Sequence, residues 1–187
     1  MLGDAMNAGV NPGGLQSRTE IRVLICYLLH NIASPLPLDT VKEKLHFEGI
    51  SNYFETAFAI GELEESNNIK CVRYDKSTKY YAPDGDCATI AANLGNSVPL
   101  SIRERAIEIC EEIISREKNE QNNKFSKVAA ENGIYVTCTV MDNQLELASI
   151  RILVPDDQAA ETVKENFFKN PIETLIKATE GLMGMKL

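Results

Sequence analysis

Residues 51–82 read SNYFETAFAIGELEESNNIKCVRYDKSTKYYA, and the fold turns on how this stretch is divided. Ser51 stands at an N-cap position for a helix running from Asn52 to about Ser66, which the Asn67-Asn68 pair ends. Two short runs rich in β-formers follow, Ile69 to Tyr74 and Lys79 to Ala82. The polar segment Asp75-Lys76-Ser77-Thr78 between them has hairpin-loop chemistry. The stretch therefore predicts a helix followed by a two-stranded hairpin.

Working outward toward the N-terminus, Ile21, Leu24, Ile25, Leu28 and Leu29 recur at helical spacing through Cys26 and Tyr27, and the run stops before Ser34, Pro35 and Pro37. A shorter helix, Leu38 to His46, sets Leu38, Val41 and Leu45 inward and Lys42, Glu43 and Lys44 outward, until Gly49 breaks it. Helix, short helix, tight turn, helix and hairpin is the order of a winged helix-turn-helix. The Asp84-Gly85-Asp86 turn then leads to a further helical segment, Cys87 to Leu94. Residues Met1 to Leu15, with four Gly, one Pro and two Asn and no periodicity, predict a flexible arm.

A second unit begins at Pro99. Ile102, Ala106, Ile109, Cys110 and Ile113 form one stripe on a helix that fades in the polar run 117–124. The period then becomes two, Ile134, Val136, Cys138 and Val140 alternating with Tyr135, Thr137 and Thr139. The next strand, Leu145 to Val154, slips phase near Ala148-Ser149, which predicts a β-bulge. Asp156 caps a last helix that is interrupted at Asn170-Pro171 and resumes through Leu175, Ile176 and Leu182. The expected fold class is α+β: an arm over 1–17, a winged helix-turn-helix over 18–94 and a smaller α-βββ-α domain over 98–187.

Apolar residues make up 44% of the 187, enough for a packed core, and the net charge is −8. A molecule this acidic is not drawn to nucleic acid by its overall field, so any DNA contact needs a local basic patch. The five cysteines, Cys26, Cys71, Cys87, Cys110 and Cys138, show no metal or redox spacing and read as reduced thiols, which together with the lack of a signal-like start or a long apolar run makes the cytoplasm the expected location. No membrane partner is expected.

The Asn52-Tyr53-Phe54 helix start, the Leu63-Glu64-Glu65-Ser66 helix end and the Val98-Pro99 and Ile102-Arg103 entry to the second unit resemble an uncharacterised bacterial winged-helix family. That family is known mainly as a domain of unknown function and is often labelled a transcriptional regulator. The likeness runs from about Arg18 to about Lys177. It implies a winged helix and, through it, regulation of transcription. The chain departs from the family's pattern at Tyr80-Tyr81-Ala82-Pro83-Asp84, where a Leu-Thr helix cap is more usual.

In a winged helix the third helix enters the major groove and the hairpin touches the backbone. Helical spacing puts Tyr53, Phe54, Ala57, Phe58, Ile60 and Gly61 inside and leaves Asn52, Glu55, Ala59, Glu62 and Ser66 outside, with Thr56 at the edge. Asn52, Thr56 and Ala59 are then the base-reading candidates, on a face without Lys or Arg. Arg73, Lys76 and Lys79 of the hairpin, with Arg18 and Arg22 at the start of the first helix, are candidates for phosphate. Lys70 falls on the hairpin face opposite Arg73. The stripe Ile102, Ala106, Ile109 and Ile113 is either core or a dimer seam, and a two-fold dimer would suit palindromic half-sites.

No catalytic residue, metal site or cofactor is expected. Cys26 and His30 lie four apart on one helix but lack further ligands, and Asp84-Gly85-Asp86 lacks the rest of a calcium loop. Walker, GxGxxG, GxSxG and HExxH motifs do not occur. Two functions of different class fit: a homodimeric regulator binding double-stranded DNA, or a winged helix whose acidic third helix binds a protein partner. An effector-sensing regulator with a ligand site in the second unit is a third.

Overall fold

In the computed structural model, which describes residues 8–32, 34–74, 77–82 and 86–184, the first helix starts at a reciprocal cap. Ser17 accepts from the Glu20 amide while the Glu20 carboxylate accepts from the Ser17 amide, so two of the N–H groups that a helix start leaves unpaired are satisfied. This helix, α1 (Arg18–Asn31), buries Ile21, Val23, Leu24, Ile25, Cys26, Leu28 and Leu29. Helices α2 (Leu38–Phe47) and α3 (Tyr53–Glu65) follow, then strands β1 (Lys70–Tyr74) and β2 (Ser77–Tyr81) and helix α4 (Asp86–Leu94). Both α3 and α4 pack on α1.

Gly49 ends the turn after α2 at a φ of +69°, a left-handed conformation that favours glycine. Against that turn lies the stretch expected to be a flexible arm. From Ala8 onward it is held: the Asn11 amide donates to the Gly49 carbonyl at 2.8 Å, the Leu15 amide donates to Ile50 at 2.8 Å, and the Leu15 side chain is buried. The backbone groups of two irregular segments satisfy one another, which composition alone does not reveal.

A second pairing is also absent from the sequence pattern. Leu36 and Tyr80 exchange backbone hydrogen bonds at 2.8 Å in each direction. Pro35 and Pro37 favour extended backbone on either side and leave Leu36 the amide that can donate. The β1–β2 hairpin is antiparallel, with Lys70 opposite Tyr81 and Val72 opposite Lys79.

After a 3-10 turn (Gly95–Ser97) comes the long helix α5 (Leu100–Asn122), then β3 (Lys124–Ala130), β4 (Gly133–Asp142), β5 (Leu145–Val154), α6 (Asp157–Lys169) and α7 (Pro171–Met183). The three strands form an antiparallel meander in the order β3-β4-β5. Its register shifts between Val140 and Met141, where Ala148 and Glu146 are successive partners and Leu147 is the extra residue, so the phase slip is a bulge. One face of the sheet, through Val136, Cys138, Val140 and Val154, packs on Ala160, Phe167 and Phe168 of α6. Asn170 caps α7 by accepting from the Glu173 amide, and Pro171 takes the first helical position, so the break between α6 and α7 is a cap and not a kink.

The chain is thus a mixed α+β protein with seven α-helices and two small sheets among the described residues. It divides into two compact units, Met1–Ile113 and Ile114–Leu187, the division falling within α5 and not at the 95–98 junction.

Candidate interaction surface

The buried side of α3 is Glu55, Thr56, Ala59, Ile60 and Leu63. Of the three expected base readers, Asn52 is 5% exposed, Thr56 1% and Ala59 0%. The assignment of faces is therefore corrected: Phe54 at 68% and Phe58 at 57% exposure stand in solvent, and Ala57 and Gly61 lie half-exposed on the same stripe.

Three contacts explain the phase. Thr56 and Ala59 are small, and where α3 packs on α1 small residues let two helices approach closely. The Thr56 hydroxyl donates to the Asn52 carbonyl at 2.8 Å and is hydrogen-bonded to Ser51 Oγ at 2.8 Å, so these buried hydroxyls are satisfied. Asn52 Oδ1 accepts from the Phe54 and Glu55 amides while its Nδ2 donates to the Ala8 carbonyl, a capping role that engages both ends of the side-chain amide.

The arginines expected to meet phosphate are engaged with α3. Arg18 binds Glu55 and Glu62, each at 2.9 Å, and its guanidinium lies 5.0 Å from the centre of the Phe58 ring; Arg22 binds Glu62 at 3.2 Å. The hydrogen bonds to Glu55 and then Glu62 hold the Arg18 guanidinium above its usual pKa. At the other flank, Lys42 Nζ sits 4.8 Å over the Tyr53 ring, which meets Phe54 edge-on at 5.5 Å. Glu64 and Glu65 are exposed at the helix end. The result is an aromatic and small-residue stripe with Arg18 and Lys42 against its rings and the exposed carboxylates of Glu64 and Glu65 at its C-terminal end.

On the hairpin, Lys70 is exposed and Lys79 half-buried, and their register puts both on one face. Lys76 and the side chain of Arg73 lie outside the described residues. In α5 the expected dimer seam is core: Ala106, Ile109 and Ile113 are buried within the chain and Ile102 is half-buried, so that stripe is not available to a second copy.

Cys26 is fully buried in the core, whereas His30 is exposed, so the two do not share a ligand site. Among the described residues no group of three or more His, Cys, Asp and Glu is placed to hold a metal ion. Asp84 and Gly85 lie outside the described residues. In the second unit a shallow cleft lined by Asn166, Lys169, Asn170, Glu173, Thr174 and Lys177 lies at the α6–α7 junction, and its Lys177 is paired with Glu173 at 2.7 Å. No described helix is long and apolar enough to cross a membrane.

The signal for the exposed stripe was present in the sequence, since Phe54, Ala57, Phe58 and Gly61 fall at helical spacing. Spacing alone does not decide which side faces inward, because α3 carries apolar residues on both sides.

This surface lies in a mixed α+β protein whose first three helices precede a hairpin. The chain belongs to the family described as a domain of unknown function (DUF4364), whose model matches residues 21–179. No curated protein and no solved structure matches it.

Proposed function

We propose that the N-terminal unit is a winged helix working as a protein-binding module, with the α3 stripe receiving a basic, apolar-anchored segment of a partner. The observation that carries this reading is the exposure of Phe54 and Phe58 on a helix whose solvent side has no cation of its own. Exposed aromatic side chains are common anchors at protein interfaces, whereas a DNA reader presents donors and cations to base edges. Glu64 and Glu65 beside the stripe favour a positively charged partner. A photo-crosslinking amino acid at position 58 in cells tests it. The expected adduct is with a protein segment of net positive charge, lost when Phe54→Asp is added. Adducts confined to nucleic acid, or to segments without positive charge, would overturn the reading.

The order of helices and hairpin, with Leu36 bridging Tyr80 and with Lys70 and Lys79 on one hairpin face, also supports a second reading: a homodimeric transcriptional regulator in the cytoplasm whose hairpin contacts duplex DNA. Buried, unpaired thiols suit that reducing compartment. Base reading would then fall to exposed residues of α3 and not to Asn52, Thr56 or Ala59. Selection from a random duplex library at low salt decides it. An enriched motif whose binding weakens in Lys70→Ala and Lys79→Ala supports the DNA reading, and no salt-dependent duplex binding rejects it.

A further inference from the structure

We propose that β5 is a dimer surface: its open edge pairs antiparallel with β5 of a second copy, joining two three-stranded sheets into one of six strands. This rests on the second unit alone and is independent of the α3 reading. β5 is hydrogen-bonded to β4 on one side and lies at the sheet's edge on the other, so part of its backbone N–H and C=O groups face outward over ten residues. Leu145, Leu147, Ile152 and Leu153 are all exposed along it, and proline is absent from the strand.

The opposite edge is built differently. β3 carries Lys124 and Lys127, and Lys127 reaches α6 to bind Asp157 and Glu161, each at 2.7 Å. An edge charge tied to the covering helix is a standard obstacle to strand addition, and β5 has none. Its two charges are Glu146 near one end and Arg151 toward the other.

That distribution selects the occupant. Antiparallel pairing about a two-fold axis near Ser149 brings Arg151 of each copy beside Glu146 of the other, whereas in-register parallel pairing would stack like charges. Ala148 and Ser149 at the strand's centre are small where two identical chains would cross the axis. The apolar residues at the two ends then meet across the new strand pair on both faces of the sheet. An edge contact of this kind is small, so the dimer is expected to form reversibly in the micromolar range and not as an obligate assembly.

Sedimentation equilibrium of the full chain over micromolar concentrations tests the proposal. The mass should rise with concentration toward twice 20.7 kDa, and Leu147→Lys with Leu153→Lys should hold it at 20.7 kDa. Glu146→Arg and Arg151→Glu should each weaken dimerisation by about tenfold and restore it when combined, a rescue that simple misfolding would not give. Amide exchange over residues 145–154 should slow as the native chain is concentrated. A single-chain mass at every concentration, open-ended association, or a dimer indifferent to these variants with 145–154 exchanging freely would each overturn the proposal.

Discussion

Glu55 occupies a position where a carboxylate is costly: its residue is 9% exposed, and Arg18 answers it at 2.9 Å. Removing one partner of such a pair leaves a charge partly desolvated, so Arg18→Ala is expected to destabilise the fold more than Arg22→Ala, whose contact with Glu62 is nearer solvent. Urea unfolding of the two variants checks this. The residues at the heart of the α3–α1 contact should behave as structure and not as readers. Asn52→Ala removes a cap and is expected to cost about 1 kcal/mol. Ala59→Leu overfills a site with no exposure and is expected to cost about 1–3 kcal/mol, while Phe58→Ala should stay within about 0.5 kcal/mol. If Asn52→Ala instead altered binding at unchanged stability, the capping role would be wrong. The thiols divide the same way. Burial pushes Cys110 up to about 12, Cys26, Cys87 and Cys138 are also buried, and Cys71 is exposed. A thiol-reactive aromatic disulfide should label Cys71 rapidly in the folded protein and the other four on unfolding.

At the scale of elements, β3 is tied to α6 through Lys127, and the hydrogen bond from Lys127 holds the Glu161 carboxyl below its usual range. A carboxylate with a depressed pKa in the folded state stabilises the fold above its unfolded pKa, and that contribution disappears as the pH falls through the folded value. Thermal unfolding followed from neutral pH into the acid carboxylate range should show a falling midpoint, and Lys127→Met should flatten that fall. An unchanged slope in the variant would remove the tether from the account. The turn after α2 gives a sharper case. An added Cβ at Gly49, already at positive φ, would collide with the Asn11 side chain, so Gly49→Ala should loosen the 8–15 segment, visible as faster amide exchange at Leu15.

Over the whole molecule, the net charge of −8 and the acidic C-terminal end of the α3 stripe give one measurable consequence. A lysine-rich amphipathic peptide with leucine anchors should bind the full chain, and its affinity should fall with salt, because exposed charges are screened over about 10 Å at 0.1 M ionic strength. The binding should persist in part at high salt through Phe54 and Phe58 and be lost in Phe58→Asp. Titration by fluorescence anisotropy reads both effects, and salt-independent binding would argue against a role for the acidic end.

The element order was legible in the residues themselves. Apolar spacing located α1, α2, α5 and the alternating strand β4, the Asn170-Pro171 pair marked the break before α7, and a slipped alternation in β5 betrayed the bulge. These features follow from local geometry, because a period of 3.6 or 2 and a proline's missing amide act within a few residues. What the tertiary structure alone decided was which partner each element meets. Leu36 joins Tyr80 and the 8–15 segment joins Gly49–Ile50 through backbone groups, which every residue except proline carries alike and which leave no mark in side-chain pattern. The same holds for α3. Two phenylalanines would ordinarily go inward, but the narrow contact with α1 admits Thr56 and Ala59, Arg18 makes Glu55 tolerable there, and Phe54 and Phe58 are turned out to form the surface on which the function is proposed to rest.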